Sequence, residues 1–280
     1  MLPELRPLGV GETLDAAAAV YRRRFWPLVR ITAVVVLPVQ AIQTIVLLSS
    51  TPDYLTRGMT GTLAPGYDNP SKEIWVYLAA TITAMILGLL ATALATAATT
   101  KLVADAYLDD RAEARESLRF ATRRLGRIIG AALATGILIT LGTFACLVPG
   151  IWLMVSWSIV VPALVVEDVG VSQAMRRSFA LVRSRWWPML GLLLTGQLLG
   201  SIVQILLAAV LGFVVAPLGH GVTGGIAANG IAGGIASALT TPFVAAAFVI
   251  AYFDLRVRNE GFDIWVMIRH LDRATASTAP

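Results

Sequence analysis

The strongest constraint on this chain is the absence of charge over four long stretches. No Asp, Glu, Lys or Arg occurs between Arg30 and Asp53, Glu73 and Lys101, Arg127 and Glu167, or Arg185 and Asp254. A helix needs roughly 20 apolar residues to cross the hydrocarbon layer. The first two stretches therefore hold one span each, Ile31–Ser50 and Ile74–Thr100, and the last two are long enough for two. Pro149-Gly150 divides the third into Ile128–Val148 and Ile151–Val166, because proline lacks a backbone donor and glycine takes turn geometry. The run Pro217-Leu-Gly-His-Gly-Val-Thr-Gly-Gly divides the fourth into Trp187–Ala216 and about Ile231–Phe253. With 57% hydrophobic and 14% charged residues over 280 positions, the main solvent is lipid. The expected fold is all-α: a single polytopic membrane domain, 1–280, with six transmembrane helices.

Orientation follows from where the basic residues fall. Of the 22 lysines and arginines, only Arg57 and Lys72 lie in segments on the side of the first, third and fifth inter-span connections. The positive-inside rule then puts both termini in the cytoplasm. The first apolar run starts too late, and lacks the small-residue pattern, for a cleavable signal. The sequence pI of about 9.8 and net charge of +5 thus reflect arginines at the inner ends of spans. No nucleic-acid motif accompanies them, so nucleic acid is not an expected partner.

Self-comparison finds an internal repeat. Gly11–Leu28 aligns without gaps on Ser172–Met189, including Arg22 with Arg183, Arg24 with Arg185 and a Trp-Pro pair in each, and Glu116–Ile129 is a weaker copy. Each copy carries a helical stripe: Leu14, Ala18, Tyr21, Phe25; Leu118, Thr122, Leu125, Ile129; and Met175, Phe179, Val182, Trp186. Arg22, Arg23, Arg24, Arg119, Arg123, Arg124, Arg176, Arg177, Arg183 and Arg185 back these stripes, with Trp26, Trp186 and Trp187 beside them. This is the make-up of an amphipathic helix in the membrane interface, its arginines among anionic headgroups and its indoles at headgroup depth. The alternative is that these helices pack on neighbouring protein, their arginines simply solvated. The expected design is three units, about 9–104, 113–166 and 171–258, each a cytoplasmic interfacial helix followed by two spans, with a cytoplasmic segment over 259–280.

Within the spans no ionisable residue lies at mid-depth, where such groups mark ion pathways. Gln40 and Gln43 in the first span, with Gln197 and Gln204 in the fifth, are expected to face the bundle interior as interhelical glue or as a cavity lining. Thr81, Thr83, Thr92, Thr96, Thr99, Thr100, Ser156 and Ser158 are expected to bond back to helix carbonyls or across helix contacts, the alternative being a polar seam for a substrate. Gly221–Gly234 has no Gly-Lys-Ser/Thr, so it reads as an outer loop entering a small-residue helix face, with Gly230 and Gly234 one turn apart. Pro38, Pro162 and Pro242 mark possible kinks. Glu167-Asp168 reads as a charge-balancing cap for the helix that follows. His220 and His270 fall on opposite sides of the membrane, and Cys146 has no second thiol to pair with. No catalytic residue, cofactor or metal site is expected.

The run Val148-Pro149-Gly150-Ile151-Trp152, then Val161-Pro162-Ala163-Leu164 with Glu167, then Ala174–Arg183 and Trp186, resembles the membrane domain joined to glycerophosphoryl diester phosphodiesterases. Leu5–Glu12 and Tyr252–Asp263 are similar to the ends of its stand-alone actinobacterial relatives. The resemblance implies a bacterial inner-membrane protein. It does not imply the phosphodiesterase activity, whose barrel domain and His-Arg-Gly motif this sequence does not show. The leading expectation is a non-enzymatic protein that organises or regulates a membrane partner or anionic lipid at the cytoplasmic face. The alternative is a small transporter or channel for a hydrophobic or lipid-like solute.

Overall fold

The computed structural model describes residues 9–50, 70–108, 113–215 and 222–260. Arg57, residues 217–221 with His220, His270 and segment 261–280 lie outside the described residues. Within them the chain forms ten α-helices and no strand: α1 (Val10–Arg23), α2 (Phe25–Ser50), α3 (Pro70–Leu108), α4 (Ala114–Arg123), α5 (Leu125–Ala145), α6 (Leu147–Ser156), α7 (Val160–Glu167), α8 (Val171–Val182), α9 (Trp186–Val215) and α10 (Val222–Glu260). Six stretches are long and apolar enough to cross a membrane: Phe25–Ser50, Ile74–Ala106, Leu125–Ala145, Leu147–Glu167, Val171–Leu211 and Gly224–Glu260. The chain is a multi-pass helical membrane protein.

Helix α10 is the hub, packed on α1, α2, α3 and α9. Its residues Ala246, Val249, Ile250, Tyr252 and Phe253 are among the most deeply buried. The glycine-rich stretch expected as a loop is helical from Val222 onward. Glycine weakens a helix interior by about 1 kcal/mol relative to alanine, yet here it lets two backbones approach, which is how helices associate where lipid supplies no hydrophobic drive. A Cβ on Gly230 would lie 2.8 Å from Thr44 Cγ2, and one on Gly234 would lie 3.2 Å from Gln40 Cγ.

The third and fourth spans differ from expectation at two points. Their divider is Cys146, in extended conformation (φ −170°, ψ 148°), and Pro149-Gly150 sits in the first turn of α6. Proline is harmless there, since the amides of a first turn have no intrahelical partner. Gly150 closes the hairpin: its Cβ would meet Thr143 Cα at 2.8 Å. Further on, the fourth span is not one helix. It breaks over Trp157–Ile159 into α6 and α7, just where Pro162 withholds a hydrogen bond from the Ser158 carbonyl and its ring crowds that carbonyl. Pro38 and Pro242, by contrast, sit inside unbroken helices.

The short helices α1, α4 and α8 each lead into a long apolar helix. Their buried seams are small residues four apart: Thr13 and Ala17 in α1, Ser117 and Ala121 in α4, Ala174 and Ser178 in α8. The predicted apolar stripes lie beside these seams and are mostly half-buried. Leu14, Tyr21, Leu118, Met175 and Trp186 pack against the core. One face of each helix therefore rests on protein. From Gly11 to Val29 and from Ser172 to Leu190 the succession of buried, half-buried and exposed residues is the same except at Val20/Leu181 and Tyr21/Val182. In the middle copy the seam of α4 follows the ungapped alignment, but the next buried pair, Ile128 and Ala131, corresponds to Leu28 and Ile31 only if one helical turn is omitted. Tyr21 fixes α1 to α10 by donating to the Leu239 carbonyl at 2.9 Å. Burial raises the pKa of this phenol, so it stays protonated as the donor.

Candidate intramembrane groove and basic end

Between α3, α7, α9 and α10 lies a cavity of about 460 Å³, within the roughly 300–1,000 Å³ of small-molecule sites. Its walls carry hydroxyls and amides at one-turn spacing: Thr92, Thr96 and Thr100 on α3, Gln197, Ser201 and Gln204 on α9, and Ser237, Thr240 and Thr241 on α10. Ser158 enters from the break between α6 and α7, and Val161, Val244 and Phe248 supply apolar surface. No charged residue lines it.

Three features give the cavity its character. Helix α9 packs chiefly on α10, where Gly196 and Gly200 face Val244 and Thr240, so the space between α9 and the α3/α7 wall is a groove with Gln197 and Gln204 exposed. Several hydroxyls bond back to their own helices, as expected: Thr92 to Gly88 O, Thr240 to Ala236 O and Ser201 to Gln197 O, each at 2.8 Å. Such hydroxyls still present oxygen lone pairs to the groove. Thr100 Oγ1 and Ser158 Oγ, however, are buried with no hydrogen-bond partner, and Thr100 is 0% exposed. Leaving a buried hydroxyl unpaired costs about 1–3 kcal/mol.

The four glutamines do not form one cluster. Gln43 donates across to the Ala84 carbonyl of α3, which is interhelical glue. Gln40 packs on Gly234. Gln40 and Gln204 flank Gly233, whose Cβ would lie 3.9 and 3.8 Å from their respective Nε2 atoms. Gln197 and Gln204 alone of the four line the groove.

At the basic end, the arginines and tryptophans divide into two groups. Arg22, Arg123, Arg176 and Arg183 are exposed and make no ion pair among the described residues. Trp26 and Trp187 are 65% and 75% exposed, with the Arg30 guanidinium 6.0 Å from the Trp26 ring. Arg23 is exposed and Arg24 half-exposed at the end of α1, and Arg185 lines a small cavity with Val10 and Asp254. Other members point inward. Trp186 packs against the core with its Nε1 buried and unpartnered. Arg124 pairs with Asp168, as does Arg127 at 3.1 Å. Arg177 donates to Glu167 Oε1 at 2.8 Å and to Glu260 Oε2 at 2.7 Å.

Glu167-Asp168 therefore does more than cap α8, whose N-cap is Gly170. Asp168, the one non-glycine residue with positive φ among those described (54°), ends α7 and ties α5 through two arginines. Glu167 accepts from Arg177 and, at 2.6 Å, from the Tyr252 hydroxyl. Arg256 donates to Glu260 at 3.1 Å. In the sequence Tyr252, Arg256 and Glu260 carry only the resemblance over Tyr252–Asp263 and do not stand out as a cluster around Glu167, although their spacing of four places them on one face of α10.

Among the described residues no group of three His, Cys, Asp or Glu is arranged to hold a metal ion. The chain matches no protein-family model, no curated protein and no solved structure.

Proposed function

We propose that this multi-pass protein takes an amphiphilic, lipid-like solute into the groove between α9 and the α3/α7 wall and moves it without covalent chemistry. The observation that carries this reading is the pair of unpartnered buried hydroxyls, Thr100 and Ser158, in a groove that also exposes Gln197 and Gln204. Polar groups at membrane depth need a partner, and a charge-free lining of hydroxyls and amides suits a neutral polar head such as a glyceride or an alcohol. The broken fourth span supports the same reading, since discontinuous helices line the binding sites of many transporters. The test is to purify the full chain in mild detergent and identify co-purifying amphiphiles by mass spectrometry. A defined species should be retained by the wild type and reduced about tenfold or more, or roughly 1.4 kcal/mol, in Gln197→Leu/Gln204→Leu. Equal retention by both sinks the reading.

A second reading, organisation of a membrane partner or of anionic lipid at the cytoplasmic face, is favoured by the exposed Arg22, Arg176 and Arg183 with the outward Trp26 and Trp187. It places the basic end in the cytoplasm of a bacterial inner membrane, with both termini on that side. The matched burial of α1 and α8 supports a repeated unit beneath it. Arginine-to-glutamine changes at these positions should then abolish capture of a neighbour or of anionic vesicles while leaving the groove's solute bound.

A further inference from the structure

The junction of α4 and α5 departs from the other two helix junctions in a way the repeat makes visible. Where α1 runs into α2 and α8 into α9, an exposed indole and a proline follow the bend, Trp26-Pro27 and Trp187-Pro188. With the omitted turn taken into account, Gly126 and Arg127 stand at those positions. A Cβ on Gly126 would meet nothing within 4 Å. At this junction lies a pocket of about 620 Å³ lined by Glu116, Arg119, Phe120, Arg123, Arg124, Gly126 and Arg127.

Two of its four guanidinium groups are held in place. Arg124 lies 4.1 Å from the Phe120 ring centroid and pairs with Asp168, and Arg127 pairs with the same carboxylate at 3.1 Å. Arg119 and Arg123 are exposed and make no ion pair among the described residues. Four arginines against Glu116 and Asp168 leave an excess of two positive charges. Planar guanidinium forks match phosphate oxygens in pairs.

We infer that this pocket binds a phosphomonoester group, whose dianion matches the excess charge, in preference to the monoanion of a phosphodiester. The phosphate is carried either by a lipid headgroup or by a small soluble molecule. This site is separate from the groove, and its failure leaves the proposed solute binding untouched.

The experiment uses the full chain in detergent micelles with fluorescent phosphatidic acid, competed by unlabelled phosphatidic acid, phosphatidylglycerol or inorganic phosphate. Phosphatidic acid is expected to compete about tenfold better than phosphatidylglycerol. Arg119→Gln/Arg123→Gln should weaken binding about tenfold or more, whereas Arg30→Gln/Arg115→Gln, which removes the same charge outside the pocket, should change it by less than about twofold. Melting temperature checks that both variants are folded. Displacement by millimolar inorganic phosphate assigns the site to a soluble phosphate; resistance to it assigns the site to the lipid. Equal competition by the two lipids, or equal loss in the two charge variants, reduces the pocket to diffuse electrostatics and overturns the inference.

Discussion

The Tyr252 hydroxyl, near the end of α10, donates to Glu167 Oε1, at the end of α7, across 2.6 Å. Eighty-five residues of sequence separate the two. The same oxygen accepts from Arg177 on α8 at 2.8 Å, so one carboxylate fastens three helices at the basic end. Tyr252 is 0% exposed, and Phe keeps its shape. Tyr252→Phe should therefore lower stability by about 1.5–3 kcal/mol, the worth of a hydrogen bond to a charged acceptor. Glu167→Ala should lower it further, because Arg177 loses an acceptor in the same stroke. In the Glu167→Ala background, where the buried hydroxyl has lost its acceptor, Tyr252→Phe should cost nothing further or recover some stability in a thermal melt, and full additivity would mean the two residues are not coupled.

Close packing of the α5/α6 hairpin makes a sharper demand at Gly150. A methyl group there would lie 2.8 Å from the Thr143 Cα, and backbone cannot swing aside as a side-chain end can. Gly150→Ala should cost about 1–3 kcal/mol through overpacking. Gly191, in the interior of α9 with nothing within 4 Å of its would-be Cβ, is the control, and Gly191→Ala should be neutral or stabilising by up to about 1 kcal/mol. Comparable melting temperatures for the two variants would refute the hairpin contact.

What was legible in the sequence, and what was not, divides along physical lines. Charge-free runs mark the spans because a charge in hydrocarbon is so costly, and the six apolar stretches lie where those runs put them. In the sequence Pro149-Gly150 looks like the divider itself, since proline's missing donor and glycine's freedom signal a turn as well as they signal a first helical turn. Only the packing of Gly150 on Thr143 distinguishes the two. The break before Pro162 looks in sequence like the unbroken Pro38 and Pro242, because neighbouring helices decide whether a freed carbonyl is tolerated. The groove was half visible. Thr92, Thr96 and Thr100 recur at steps of four, but residue type alone does not separate Gln40 and Gln43 from Gln197 and Gln204. Arg124 and Arg177, grouped with the outward arginines, turn inward because Asp168 and Glu167 come to meet them, and no local pattern announces a partner 44 residues away.

The break at Trp157–Ile159 makes Pro162 the residue that presents Ser158 to the groove. Alanine there restores an amide able to bond to the Ser158 carbonyl, joining α6 and α7 into one helix and drawing Ser158 back against it. Pro162→Ala is expected to leave stability in a thermal melt unchanged or raise it by about 1 kcal/mol at most, while reducing retention of the groove's amphiphile. Unchanged retention in a stably folded variant would show that the break plays no part in binding.

The single cysteine tests orientation in the native sequence. Cys146 is exposed at the start of α6, and α5, 21 residues long, separates it from Arg124 by about 31 Å, the thickness of the hydrocarbon layer. If the basic end is cytoplasmic, an impermeant maleimide added to cells whose outer barrier has been opened should label Cys146. A cysteine introduced as Arg115→Cys in a Cys146→Ser background should react only after the inner membrane is permeabilised. Lipid packed over the Cys146 thiol slows labelling without reversing the order, so Thr62→Cys, in the same background, provides a second outer position. Protection of Cys146 and Thr62→Cys together with labelling of Arg115→Cys in sealed cells would invert the protein, and with it every assignment of the arginines to the inner leaflet.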